Sequence, residues 1–334
     1  MRRNSVYGAC MRRSRLLVPA LLVGAVLLPG PSQTQLTAAA APVAPRVYGC
    51  QVFPSTNYWN RDISALKVHT RSAQWLSNMS PDRKLHPDFG PSYGDGPDYG
   101  MPITAVRSTH PLVMPQFTYA DESSRAGFPF GADTQIEGGR DSGGDMHAVV
   151  VDRDTCRLAE TWNTRESGGR WTAGSGAQWS LKTNTLRTDT WTSADAAGLP
   201  ILPGLLRWSE VKAGSVNHAI RFTTDVTSRH HLWPARHDAG SQDSLAYPPM
   251  GARFRLRSTF SGTGYSTYAR TVLVAMKHYG LVLADNGSPW FFQGQQTSGW
   301  PPSLIEELKR IPASAFVAVD TAPLKVSNDS AGTR

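Results

Sequence analysis

Glycine and proline interrupt this 334-residue chain 30 and 24 times, dividing it into short runs. Glycine weakens regular elements and proline removes a backbone donor, so such runs favour short strands over long helices. Strand candidates lie at 103–107, 112–119, 147–152, 178–181, 205–208, 217–223, 253–259, 281–284, 290–293 and 315–319. This punctuation predicts a mainly β body, a sandwich or barrel of antiparallel sheets. Helices are expected over 72–79, from a Ser266 cap to Tyr279 with Gly280 as the stop, and from a capping box at Ser303–Glu306 to Arg310. The expected class is a β-dominated α+β chain with its few helices mainly C-terminal. Asn286-Gly287 between two apolar runs predicts a hairpin joining 281–284 to 290–293. Residues 80–102, rich in proline and glycine, read as a long loop.

The first 41 residues stand apart. A basic stretch, Met11-Arg12-Arg13-Ser14-Arg15, precedes the apolar run Leu16–Leu28 and the small residues Ala38–Ala41. That is the pattern of a secretory signal peptide, Sec-type rather than twin-arginine, and too short to span a bilayer comfortably. Removing it lowers the net charge from +8 to +3, with 29 basic residues against 26 acidic. So balanced a chain gives no electrostatic case for nucleic acid. No later apolar run reaches membrane-spanning length, so the expectation is a secreted, soluble monomer. Residues 48–320 read as one domain, and 321–334 as a polar, frayed tail. Two cysteines remain, Cys50 and Cys156. An even remainder in an exported chain reads as one disulfide, two free buried thiols being the alternative.

The stretch richest in chemistry is 136–163. Glu137, Asp145 and His147 sit at the mouth of a strand, His147–Asp152, and a tight turn leads to a return strand carrying Cys156, Glu160, Trp162 and Asn163. His147, Val149 and Val151 share one face of the first strand. Carboxylates at strand ends beside Gly138-Gly139 and Gly143-Gly144 suit acid/base work on a ligand that approaches the backbone closely. Glu160 is the hardest of these to read as mere surface, because a carboxylate inside a half-apolar strand costs several kcal/mol unless paired. A second histidine, His218, opens the run Asn217-His218-Ala219-Ile220 much as His147 opens its own. Two imidazoles and Glu160 would converge if the strands were neighbours. No metal-ligand spacing accompanies them, so neither metal nor cofactor is expected. If Glu137, Asp145, His147, Glu160 and His218 line one open groove the enzyme reading is supported; if they scatter, it loses most of its support.

All ten tryptophans lie beyond residue 41, several beside an amide or hydroxyl, as in Trp59-Asn60, Trp162-Asn163 and Trp191-Thr192. At least half are expected in the core; flat indole faces beside polar groups also suit sugars. Serine-nucleophile elbows, P-loops and dinucleotide glycine fingerprints are absent from the sequence. These features point to an extracellular polysaccharide or glycan as the partner. The leading expectation is a glycoside hydrolase using two of Glu137, Asp145 and Glu160, tuned by His147. Trp162, Asn163, Trp171 and His218 would bind substrate. A polysaccharide lyase or a non-catalytic glycan- or wall-binding protein is the alternative.

Four stretches taken together, Gly49–Pro54 with Trp59-Asn60, Gly144–His147, Trp191–Gly204 and Ala284–Ser288, resemble a family of secreted proteins from soil actinobacteria and other environmental bacteria. The resemblance covers nearly all of 48–320. It implies export and a single domain, and it assigns no site residue. Its longest stretch, 191–204, reads as a turn of helix over 193–197 followed by a rigid corner, either a ligand wall or pure architecture.

Overall fold

The structure is a computed structural model in which residues 44–334 are described; the expected signal peptide lies outside them. Ten strands build two main sheets: β1 (His86–Asp88), β2 (Ile103–Val106), β3 (Ala148–Asp152), β4 (Arg157–Trp162), β5 (Ser175–Ser180), β6 (Ile220–Thr224), β7 (Arg253–Leu256), β8 (Leu281–Asn286), β9 (Phe291–Gln293) and β10 (Phe316–Ala318). One sheet runs β5-β4-β3-β2, the other β10-β7-β8-β6-β9-β1. Both are mixed: β2 runs parallel to β3, β6 to β8 and β1 to β9. Helices α1 (Ser72–Ser77), α2 (Trp208–Ala213), α3 (Thr267–His278) and α4 (Pro302–Leu308) complete a mainly β, α+β fold. A small third sheet pairs Arg165–Ser167 with Arg170–Ala173 and the latter with Gln116–Phe117.

The hairpin β3–β4 forms as its alternation predicts, with Val149 opposite Glu160 and Val151 opposite Leu158. Both faces of β3 are covered. Val149 and Val151 join Cys50, Ile201 and Leu202, while Ala148 and Val150 join Phe128, Phe130 and Trp171. The largest core lies on the six-strand sheet, where Val272, Leu273 and Met276 of α3 pack among Phe254, Leu281, Trp290 and Phe316. Ser266 caps α3 as expected, its hydroxyl accepting from the Ala269 N–H. Six of the ten tryptophans (Trp59, Trp75, Trp171, Trp179, Trp290, Trp300) are buried.

Several expectations are corrected. The strands around Asn286-Gly287 do not form a hairpin, because β6 lies between β8 and β9. Residues 205–208 are no strand; Trp208 begins α2 instead. The loop 80–102 contains β1, and residues 193–197 make turns rather than a turn of helix. Helix α4 begins after Pro301 rather than at a serine cap. The segment 321–334 is packed rather than frayed: Leu324 and Ala331 are buried, and bridges tie Ser330 to Thr185 and Gly332 to Asn57.

Cys50 and Cys156 are joined in a disulfide that closes a separation of 106 residues. Among the described residues no helix is long and apolar enough to cross a membrane. For a loop this long the crosslink contributes about 4 kcal/mol. Reduction, or the double variant C50S/C156S, is expected to lower the unfolding free energy by about that amount in a urea titration. A change below about 1 kcal/mol would show that the fold constrains these ends without the crosslink.

Candidate functional site

The ends of β4 and β8 and the corner 191–197 meet around a pocket of about 320 Å³. Asp145 and Trp162 line it from the hairpin, Asp285 and Asn286 from the end of β8, and Thr192–Ala194 with Ala196 from the corner. Tyr119, Glu122, Ser175 and His237 complete the wall.

Local backbone geometry sets the hairpin side. Met146 and Asn163 flank the strand pair at φ 53° and 51°, a left-handed conformation uncommon outside glycine. The turn is held because the Asn163 N–H donates to the Asp145 carbonyl at 2.8 Å and the Thr164 N–H to that of Met146 at 3.1 Å. Asp145 and Trp162 thereby face the pocket together, and the indole N–H donates to Asp145 Oδ1 at 3.3 Å. Gly174, just before β5, is required by that indole: a Cβ there would collide with the Trp162 ring.

The opposite wall is built on a buried ion pair. Arg221 of β6 donates from Nε and Nη2 to the two oxygens of Asp195, at 3.1 and 2.7 Å, with both side chains almost fully buried. Asp285 lies 3.6 Å from the same Nη2, its side chain 26% exposed at the pocket. A register shift in the β6/β8 pairing brings it opposite Thr223. Burial, followed by the negative charge of Asp195, pushes the Asp285 carboxyl up to about 7, against the opposing charges of Arg221 and His147. Asp285 thereby holds its proton more tightly than an ordinary aspartate does.

Behind the pocket lie Glu137 and His147. The Glu137 carboxylate contacts His147 Nδ1 at 2.6 Å, and His147 Nε2 lies 3.2 Å from the carbonyl of Ala194. Burial alone depresses the imidazole, but the charge and hydrogen bond of Glu137 outweigh it and raise His147 to about 9. It is therefore a buried imidazolium at neutral pH, donating from both nitrogens. Glu160 is fully buried, and its two oxygens accept the N–H groups of Ile201 and Leu202 at 2.8 Å each. The carboxylate thus fastens the 199–204 corner to β4, with burial pushing it up to about 7 against those two hydrogen bonds. The segment 191–204 thus lines the pocket through Thr192–Ala194 and Ala196 and is tied into the fold through Glu160.

The five residues expected to line one groove do not do so, so the acid/base set expected from Glu137, Asp145 and Glu160 loses most of its support. Of them, Asp145 alone lines this pocket. His218 is fully buried, its Nδ1 on the Ala219 carbonyl and its Nε2 3.1 Å from Glu210. It precedes β6 in the other sheet, so the two histidine runs are not neighbouring strands. Trp171 is buried beside Phe130, with the Arg140 guanidinium 5.3 Å above its ring. Asn163 serves through its backbone, and Trp162 alone of the expected aromatic contacts lines the pocket. Sequence reasoning missed Asp195, Arg221 and Asp285. Arg221 and Asp285 had a signal, a charge inside the otherwise apolar run Ile220–Phe222 and an acid directly after Leu281–Ala284; Asp195 had none. Among the described residues no three His, Cys, Asp or Glu side chains converge as metal ligands. Comparisons with protein-family models, with curated proteins and with solved structures find no match.

Proposed function

We propose that this chain is an exported hydrolase that cleaves a glycosidic bond of an extracellular polysaccharide in the pocket between Trp162 and Asp285. One observation carries the reading: of the three carboxyl groups that line the pocket, Glu122 is taken up by the Thr192 N–H, while Asp145 and Asp285 lie in contrasting surroundings. Asp285, buried and near the negative charge of Asp195 across their shared Arg221, is pushed up to about 7, whereas Asp145 sits beside the indole N–H of Trp162. Carboxyls set apart by their environments divide the acid and base roles of glycoside hydrolysis. Asp285 gives its proton to the glycosidic oxygen as the bond to the anomeric carbon breaks. Asp145 faces that carbon, as base on the incoming water or as nucleophile according to the separation of the two groups. Trp162 offers a flat face to the sugar, and Ser175, Tyr119, His237 and Asn286 meet its hydroxyls. Glu137 and His147 hold the carbonyl of Ala194, and so the pocket wall, in place. The apolar run at 16–28 and the disulfide support export.

The test is a panel of plant, fungal and bacterial polysaccharides incubated with the purified protein below pH 7. New reducing ends are expected, without the ultraviolet absorbance of unsaturated uronate ends, and they should vanish in Asp145→Asn. Unsaturated ends would instead identify a lyase, and saturable binding without cleavage a glycan-binding protein. Intact activity in Asp145→Asn would remove this pocket from the reaction.

A further inference from the structure

Beside the pocket lies a second one, of about 420 Å³, with a different chemistry. Its centre is Arg187. The guanidinium carbon sits 5.8 Å from the ring centre of Trp179 and 5.7 Å from that of Trp191, within cation–π range of both. Nη2 donates to the backbone carbonyl of Glu122, and Nη1 has a long 3.5 Å contact with the Ser124 hydroxyl. Nε is buried with no hydrogen-bond partner among the described residues. No carboxylate among them lies within 4 Å of the guanidinium; Glu122 and Glu160 act on it only at longer range. A largely buried cation without a counter-ion is costly, and an incoming anion relieves that cost. Around it the pocket is lined by hydroxyls, including Thr183, Thr185 and Thr188, and by no acid.

The two pockets share a wall. Glu122 and Thr192 line the first, Ser124 and Trp191 the second, and the Thr192 N–H donates to Glu122 Oε2 at 2.8 Å. Adjacent residues 191 and 192 thus face successive pockets, about 3.8 Å apart along the chain.

We propose that this second pocket is a subsite for an anionic sugar unit, its carboxylate taken by the Arg187 guanidinium between Trp179 and Trp191, so that the substrate is an acidic polysaccharide. The subsite rests on the hydrolase reading for its place in a reaction, but its binding chemistry is tested independently. Galacturonate, glucuronate and mannuronate trimers, their neutral methyl esters and a sulfated chondroitin tetrasaccharide are titrated by calorimetry into the wild type and Arg187→Gln. At least one free acid is expected to bind about tenfold more tightly than its ester, and Arg187→Gln to bring the two level. The comparison of acid with ester in the wild type needs no variant, so a misfolded Arg187→Gln leaves it intact. Equal binding of acids and esters, or an Arg187→Gln protein that still prefers the acid, overturns the subsite. Binding of the chondroitin tetrasaccharide that survives esterification of its glucuronates but is lost on desulfation assigns the anion to sulfate and overturns the uronate assignment. Binding through Arg187 without cleavage sinks the hydrolase reading and leaves the subsite standing. Cleavage of a neutral glycan, undiminished in Arg187→Gln, does the reverse.

Discussion

Asp285→Asn is expected to lower kcat for polysaccharide hydrolysis by about 10²- to 10⁴-fold, the range for loss of a general acid. Its fold should survive, because the change removes a buried carboxyl repelled by the charge of Asp195 and leaves the Asp195–Arg221 pair intact. The melting temperature should stay level or rise. The pH profile carries the more specific signature. The wild-type rate should fall as pH rises through about 7, where Asp285 loses the proton it must deliver. That limb should disappear from the residual activity of the variant. An aryl glycoside with a good leaving group needs little protonation, so Asp285→Asn should cleave it with a much smaller loss. An equal loss on both substrates would indicate a collapsed pocket rather than a missing acid.

The largest effect on stability is expected from Arg221→Met. Arg221 is the shared cation of the site: bidentate to Asp195, within reach of Asp285, and felt by Glu137 and His147. Its removal leaves Asp195 fully buried without a counter-charge, a loss of about 3–5 kcal/mol for a broken buried pair. Urea unfolding followed by tryptophan fluorescence reads this directly. The double variant Asp195→Asn/Arg221→Met should recover much of the loss, since neither charge is then stranded. A cost below about 1 kcal/mol for the single variant would mean that the pair is solvated in solution, contrary to its burial.

What was legible in the sequence follows from which interactions are local. The β3–β4 hairpin could be read because its alternation and its tight turn agree and both lie within a few residues. The α3 boundaries could be read from Ser266 and Gly280, since capping is a matter of one turn. The disulfide followed from counting cysteines once the first 41 residues were set aside. Sheet order was not legible. Asn286-Gly287 carries a sound hairpin signal, yet β6 takes the place between its flanking strands, and nothing near residues 286–287 encodes a strand from residues 220–224. Parallel pairs such as β1 with β9 are equally silent, because short apolar runs do not name their partners.

The site divides the same way. Asp145 and Trp162 come from one hairpin and were visible beforehand. Glu160 was correctly conspicuous as a carboxylate in an apolar strand, but its explanation is the pair of N–H groups from Ile201 and Leu202, which only the fold delivers. Asp285 became a candidate only when β8 placed it against Asp195 and Arg221. Its raised affinity for a proton is a property of that neighbourhood, invisible in the run Ala284-Asp285-Asn286.

The reading depends most on Asp285 keeping its proton near neutrality, and carboxyl-carbon NMR titration of the free protein measures this without any substrate. With the resonance assigned by its absence from Asp285→Asn, the midpoint is expected at about 7. A midpoint at about 4, that of an ordinary aspartate, would contradict the account.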